Sequence, residues 1–581
     1  MKKDLLAILL LLVLTVPAVK ELFIPGAFTS HDLVHHVVRQ VSMDKLLSDG
    51  QFPPRWSDDL NQGYGYPVFL FNYPLPALIG EGFHKMGLGF VDSVKAVLFF
   101  SIEISVVGMY LFLKSLLNSR LSAFLGAIFY VYAPLRFLNT YVSAAVGSAL
   151  ATGVAPYVFW SLVEISKKRK WAIFSGAFSF AALILAHNVS ALILAPLILS
   201  FALILILQAQ DRADTLKKIG AMLLLGLGLS AWFFVPAILE KSYTRFDAIY
   251  TNFYQDQFVT LEQLLRSPWG YGLSHPQNPG PGDMSYQLGL IQIGVVLILL
   301  FLFCLSFLRP RAAIALAVAQ GGNPVNTLFY GSSVKHGMTK EDRLWMVFVL
   351  TAFFLSIFLM LKVSESLWVA LPFLSLIQFP IRFQIVSVFA AAISAGLLVK
   401  YLPFRTVVFC VLLVLVVYAN RNHWHINEVW SPGENYFINL KTTGTTYGEH
   451  LPKWGEVAES KSLGKLEFVN GKGIINIKTD KSNYVMAEVE ASSSSQLRFN
   501  QYYFPGWEIK VDGQKVNFNY LTDGKSYGLP VFDIVSGSHL VKLEFKNTAV
   551  RDLSDFISLV TFLGCLGLIL TNLHLSFRKF K

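Results

Sequence analysis

The sequence predicts a mainly α-helical, polytopic membrane protein of about twelve transmembrane helices, with a β-rich, sandwich-like domain near its C-terminus. Three observations lead there. Hydrophobic types make up 54% of the 581 residues and charged types only 15%, against roughly 25% charged in a soluble domain. The apolar residues lie in runs of bilayer length, and no short alternating strands dominate those runs. Basic residues, which give the chain a net charge of +11, are gathered in a subset of the connecting loops, which is an orientation signal. These numbers exclude a disordered chain, a disulfide-stapled secreted domain and a single soluble enzyme.

The first apolar run, Leu5 to Val19, follows Met1-Lys2-Lys3. It reads as a signal peptide or a first helix; without a clean small-x-small cleavage site, an uncleaved anchor is expected. Further runs lie near 92–113, 121–137, 143–164, 171–187, 189–208, 218–237, 287–308, 345–362, 381–399, 406–420 and 556–575. An even number of spans puts both termini on one side. The basic loops assign that side to the cytoplasm: the N-terminus, 114–120, Lys167-Lys168-Arg169-Lys170, 211–218, 309–343, 400–405 and the C-terminal tail. Residues 1–420 then form a membrane domain with outer loops at about 20–90 and 238–286. Residues 421–555 form an extracytoplasmic β-rich domain, and 556–581 a last helix and tail. Strands are expected at 465–470, 474–479, 484–490, 496–504, 507–511, 515–520 and 541–546, with Asp512-Gly513 as a hairpin turn. Cys304, Cys410 and Cys565, odd in number and without metal-like spacing, read as buried free thiols. No nucleic-acid motif is present, so orientation accounts for the positive charge.

The densest chemistry lies between Ser30 and Pro76, where a bland linker would not need it. If 31–47 is helical, Asp32, His35, His36 and Arg39 share one face. A carboxylate there can take a proton from an acceptor hydroxyl while the cationic groups hold a phosphate leaving group. Phosphate is a weak base and needs no general acid, so one carboxylate suffices, whereas ordinary glycoside hydrolysis uses two. The alternatives are a helix N-cap or a surface salt bridge. His31-Asp32-Leu33-Val34-His35 also looks like a zinc-peptidase H-E-x-x-H with Asp for Glu, but no third ligand is identifiable. Asp58-Asp59 reads as a solvated acidic pair or a site for a divalent ion; no clear metal motif is present.

Other residues carry two readings each. Arg382, at the mouth of a helix, binds a phosphate or anchors the helix by snorkelling. Arg55 contacts phosphate or pairs with Trp56. Trp56, Tyr64, Tyr66 and Trp269 contact a sugar or acceptor, or mark the membrane interface. Arg266 is a further substrate-contact candidate. Glu103, deep in an apolar run, is a functional residue or a neutral acid bonded to a neighbouring helix. His187-Asn188 reads as a cap at an outer turn.

His31-Asp32, Pro53-Pro54-Arg55-Trp56 and Gly63-Tyr64-Gly65-Tyr66-Pro67 together resemble a bacterial membrane family labelled "6-pyruvoyl-tetrahydropterin synthase-related", or YfhO-like. Ser267-Pro268-Trp269-Gly270-Tyr271, Gln378-Phe379-Pro380-Ile381-Arg382-Phe383, Tyr447-Gly448-Glu449-His450-Leu451-Pro452-Lys453-Trp454 and Phe504-Pro505-Gly506-Trp507 fit the same pattern. No zinc-binding pterin-synthase constellation accompanies them. Ile381 departs from the family's Gln-Phe-Pro-Trp-Arg form. The wider resemblance is to the GT-C glycosyltransferases, which implies a GT-C-like membrane fold and sugar transfer from a polyprenyl-phosphate carrier to an extracytoplasmic acceptor. By position Asp32 matches that superfamily's essential outer-loop acid. The expectation is an inverting transferase in the cell membrane with Asp32 as base and Arg39, Arg55, Arg382, His35 and His36 at the phosphate. A flippase or transporter for a lipid-linked substrate, and a non-catalytic cell-envelope assembly protein, are the alternatives.

Overall fold

The computed structural model describes residues 2–319, 339–520 and 528–578. The centre of the expected cytoplasmic loop at 309–343 and the last three residues of the tail lie outside the described residues, as does 521–527.

Each of the apolar runs folds as helix. Among the described residues eight helices are long and apolar enough to cross a membrane. They include α1 (Lys2–Val19), α4 (Phe90–Leu117), α6 (Val146–Ser166), α8 (Asn188–Gln208), α9 (Arg212–Leu239), α11 (Lys340–Met360), α12 (Gln384–Tyr401) and α14 (Ala549–Arg578). A bent pair, α5 (Arg120–Val131) and the segment Pro134–Val142, meets at 48° and is long and apolar enough to count as a ninth, broken span. Pro134 has no N–H to continue the helix, so the chain restarts with proline in its first turn and passes into a π-helical turn at Leu138–Val142. The remaining three, α7 (Trp171–Ala186), α10 (Leu290–Ala319) and α13 (Arg405–Ala419), contribute shorter apolar stretches. The 20–90 segment carries two further helices, α2 (Leu33–Ser48) and α3 (Leu75–Lys85), and single helical turns lie in it and in the other connecting segments.

Three of the basic turns and chain ends come together at one end of the bundle. Asp4 pairs with Lys114 and Arg120, and Ser115 bonds Glu164 and accepts from Lys167. The segments 20–90 and 421–555 meet at the other end. There β1 (Ala27–Phe28) pairs antiparallel with β2 (Val429–Trp430), and Glu21 receives the Ile426 N–H and bonds His425.

The C-terminal β region is two antiparallel sheets. Strands β4 (Gly473–Lys481), β5 (Tyr484–Ala491), β7 (Trp507–Val511), β8 (Gln514–Lys515) and β10 (Gly537–Phe545) run in the order β4-β5-β10-β7-β8. Strands β3 (Leu466–Asn470), β6 (Ser495–Phe499) and β9 (Val531–Ile534) run β3-β6-β9. Inward residues alternate along β5, with Val485, Ala487, Val489 and Ala491 buried, as a half-buried strand requires. Asp512 and Gly513 both have positive φ, 50° and 83°, the geometry of a type I′ hairpin turn. The expected strand at 515–520 is cut to Gln514–Lys515 with a single bridge at Asn519, and β9 was not anticipated.

The sandwich does not close its core alone. Trp56, Leu60, Tyr66 and Val68–Phe71 of the first segment are buried in one apolar cluster with Phe499, Phe504, Trp507 and Phe545. Trp56 is fully buried, ringed by Phe504, Trp507 and Phe545 at 5.3–6.3 Å, and its indole N–H donates to Gln501 at 2.8 Å. Gly65, at φ +84°, lies so close to this indole that a Cβ would stand 2.3 Å from it. Among the cysteines only Cys565 is buried; Cys304 and Cys410 are exposed on helix surfaces.

Candidate active site

Helix α2 begins where the chain is pinned from two sides. The His31 and Asp32 amides donate to Val142 and Ser143 carbonyls at 3.1 and 2.9 Å, fixing the helix start on the broken span. The His31 ring contacts the Gly272 carbonyl at 2.8 Å, which ties in the 238–286 loop. Asp32 occupies the N-cap position, yet its carboxylate makes no capping bond; the Leu33 amide is served by Ser30 at 3.2 Å instead. Among the described residues the Asp32 carboxylate has no hydrogen-bond or ion-pair partner. One helix face then carries His35, His36 and Arg39.

Arg39 is buried. Its Nε donates to the Gly444 carbonyl at 2.7 Å. Gly444 has a φ of +66°, and a Cβ there would press within 3.3 Å of the Arg39 side chain, so the close approach needs glycine. Arg382 arrives from the short helical turn before α12. The Gln378 backbone is left-handed at φ +66°, and the turn aims the guanidinium at the Ile377 carbonyl and Gln378 side chain, at 2.8 and 2.9 Å, over the Phe379 ring. Among the described residues neither arginine forms a salt bridge. Ring contacts tie these elements together: Tyr73 lies 6.4 Å from His36 and 4.8 Å from His187, and Phe253 meets Tyr250, Tyr447 and Phe379 at 5.4, 6.1 and 5.2 Å. The arrangement is one convergent group drawn from α2, the loop before α3, the 238–286 loop, the mouth of α12 and the 421–555 segment.

Tyr73, His187, Tyr250, Glu449 and His450 belong to this group, and sequence reasoning did not assign them there. His187 caps α8, accepting from the Ser190 amide at 3.0 Å, and also stands edge-on to Tyr73 at 4.8 Å. Glu449 and His450 lie in a motif whose residues carry no periodic pattern pointing at α2. Burial raises the Tyr73 and Tyr250 phenols, so both remain hydroxyl donors. Burial, then Arg39, pushes His36 well below the ordinary imidazole range. His35 is lowered by the same causes, with Asp32 and Glu449 opposing. Near neutral pH these histidines offer hydrogen bonds, and the arginines supply the positive charge. His36 and Arg39 also line a cavity of about 10 Å³, room for one water and too small for a phosphate.

A pH dependence of stability follows. His36 and His450 are held neutral by burial, His450 down to about 4. Above an unfolded pKa of about 6.5 they contribute no pH dependence. Below it, the unfolded chain takes protons that the fold refuses, and each residue removes up to about 1.4 kcal/mol per pH unit. Thermal melting of the purified protein should fall from pH 6.5 toward pH 4, less steeply in His450→Gln. An equal slope in the variant would count against this assignment.

Several expected site residues lie elsewhere. Arg55 pairs with Asp555 of α14 at 2.5 Å and donates to the Trp232 carbonyl at 3.1 Å; it clamps the first segment to two helices. Trp56 is core, as described, because its indole is enclosed on all sides. Tyr66 is fully buried, its hydroxyl accepting from the His450 amide and sharing a bond with Thr445, each at 2.9 Å. Tyr66→Phe should therefore cost about 1–3 kcal/mol, read as a lower unfolding midpoint; an unchanged midpoint would contradict the buried hydrogen bonds. Tyr64 packs on Tyr502, and Trp269 stacks on His423 at 4.2 Å. Arg266 follows a short capped helix at Leu261–Leu265 and is exposed. Glu103 accepts from Thr15 of α1 at 2.7 Å, away from the Asp32 group. The sequence also passed over Arg136, fully buried in the broken span and bonded to Ala149 and Ser101 carbonyls and the Ser105 hydroxyl. Asp58 and Asp59 are neither solvated nor free for an ion. Asp58 is held between Lys45 and Lys465 at 2.6 Å each, and Asp59 by Lys441 at 2.8 Å. Among the described residues no group of three or more metal-ligating side chains exists.

No protein-family model matches the chain. It is similar to a Lactococcus lactis protein described as uncharacterized, at 26% identity over 249 residues, spanning 40% of this chain and 39% of that one. Among solved structures it is similar to the oligosaccharyltransferase of Archaeoglobus fulgidus in the apo form. That match has a TM-score of 0.34 and 9% identity, and covers 78% of this chain and 57% of the archaeal one. The chain thus spans less than two thirds of the length of either.

Proposed function

We propose that the protein is an inverting membrane glycosyltransferase of GT-C type. It moves a sugar from a polyprenyl-phosphate carrier to a hydroxyl of a glycan, lipid or cell-envelope polymer on the extracytoplasmic side. Both termini then face the cytoplasm. The observation that carries the reading is the charge arrangement around Asp32. Arg55 and Arg551 sit on carboxylates, Asp555 and Glu240. Arg39 and Arg382 instead bond neutral groups. A buried guanidinium without a carboxylate is costly, and an anionic ligand relieves that cost.

In the proposed reaction Arg39 and Arg382 hold the carrier phosphate and Tyr73 adds a hydroxyl donor. The Asp32 carboxylate takes the proton of the acceptor hydroxyl. The acceptor oxygen forms a bond to the anomeric carbon from the face opposite the phosphate. The bond from that carbon to the phosphate oxygen breaks, and its electron pair leaves with polyprenyl phosphate. One displacement inverts the anomeric configuration, and the arginines neutralise the charge that develops on the leaving oxygen. The lipid tail lies between helices.

The test uses proteoliposomes with a polyprenyl-phosphate hexose labelled in its sugar and extracted envelope polymers as acceptors. Label should pass to the acceptor in step with release of polyprenyl phosphate. Movement of the labelled lipid between leaflets without transfer would support a flippase instead, and acceptor binding alone an assembly protein.

A further inference from the structure

We infer that Glu449 recognises the transferred sugar, its carboxylate accepting a hydrogen bond from a ring hydroxyl beside His35. The inference rests on reading the Asp32 group as a phosphosugar site and names the residue that reads the sugar.

Glu449 is about nine-tenths buried, and its Oε2 has no hydrogen-bond partner. The Nδ1 of His35 is likewise buried without a partner, and the loop that carries Glu449 is joined to α2 at Gly444, which accepts from Arg39 at 2.7 Å and lies beside the His35 backbone. Buried polar atoms are almost always hydrogen-bonded, so these two orphans, on elements that the Arg39–Gly444 bond holds together, mark a place for a ligand's polar groups. The Glu449 backbone is firmly set. Gly448 turns at φ +61°, its carbonyl accepts the Leu451 amide at 3.0 Å, and the His450 amide is bound by the buried Tyr66 hydroxyl. Rings at Phe71 and Phe246 stack on His450 and hold this turn against the 20–90 and 238–286 segments.

The ligand group follows by elimination on charge. A carboxylate repels phosphate, so Glu449 is no part of the anion subsite. An ammonium group would meet Arg39, which bonds the same loop at the Gly444 carbonyl. The described residues offer no cluster of three metal-ligating side chains here. A neutral donor remains, and a phosphosugar carries such donors as its ring hydroxyls. Ring contacts run from Tyr447, two residues before Glu449, through Tyr250 and Phe253 to Phe379, over which Arg382 lies.

The test measures binding by full-length protein in lipid nanodiscs. The probes are a short polyprenyl phosphate and the same lipid bearing glucose, galactose, mannose or N-acetylglucosamine. Wild type should bind at least one sugar-bearing probe more tightly than the bare phosphate. Glu449→Gln should lose about 10–100-fold on that probe, the range for a hydrogen bond to a charged group, with the bare-phosphate affinity held within about twofold. Glu449→Asp, which keeps the charge and shortens the arm, should show the same selective loss. Unchanged sugar selectivity in both variants, or equal loss on both lipids in both variants, would overturn the role of Glu449 and leave the transferase reading standing. If wild type bound none of the lipids, both would fall.

Discussion

Asp32→Asn should slow sugar transfer by about a thousandfold, in the middle of the range for loss of a positioned general base, while the carrier lipid still binds. Asn has nearly the same shape but cannot take the acceptor's proton. The carboxylate makes no capping bond to α2, and the helix start is held by backbone bonds to Val142 and Ser143 together with Ser30. The substitution should therefore leave the melting temperature nearly unchanged, which separates loss of chemistry from loss of fold. Initial transfer rates at equal protein, with lipid binding measured in parallel, provide the comparison. A wild-type rate in Asp32→Asn would end the assignment of this residue as base.

The second large effect is expected at Arg382. Arg382→Gln should weaken binding of polyprenyl phosphate by about a hundredfold, the scale of a lost charge-assisted contact in a buried site. Arg382→Lys should recover only part of it. A lysine supplies charge but cannot keep the planar fork that bonds Ile377 and Gln378 while presenting another edge to a phosphate. Arg55→Gln is the informative control, because that guanidinium clamps Asp555 and the Trp232 carbonyl. It should lower the melting temperature and spare phosphate affinity. Equal losses of affinity at Arg55 and Arg382 would mean that the phosphate site has been drawn in the wrong place.

Much of the architecture could be read from the residues. Apolar runs without period-two alternation dictate helices, because in lipid only helices and closed barrels satisfy the backbone, and Asp512-Gly513 dictates its turn because both positions need positive φ. The break at Pro134 was less visible, since the run on either side is equally apolar. The strand at 531–534 escaped because it is short. The shared core escaped for a different reason. Trp56 and Tyr66 sit in a long segment between two apolar helices, where amphipathic rings commonly mark an interface, and nothing local tells that strands more than 400 residues later enclose them.

The site divides along the same line. Helical spacing brings His35, His36 and Arg39 onto one face near Asp32, which the period alone foresees. The Gln378–Phe383 motif flags Arg382 as a residue of interest, but its meeting with Asp32 depends on tertiary packing. Arg55 sits in an equally dense motif and goes elsewhere, so motif density does not distinguish a ligand-facing arginine from a structural one. The distinguishing feature is the counter-charge taken together with the place: Asp555 for Arg55, and carbonyls and amides for Arg39 and Arg382 in the Asp32 group, whereas Arg136, also without a carboxylate, is enclosed between helices by the Ala149 and Ser101 carbonyls. Glu449 was hidden for want of any local signal, because its neighbours in space are far off in sequence.

The most direct measurement follows the anomeric carbon. Purified protein is given a polyprenyl-phosphate hexose carrying carbon-13 at C1, together with an acceptor to which it transfers, and the product is read by NMR. A single displacement with Asp32 as base requires the label on an acceptor oxygen with inverted configuration, and one polyprenyl phosphate released per sugar. Retained configuration, or label that never leaves the carrier, would contradict the account.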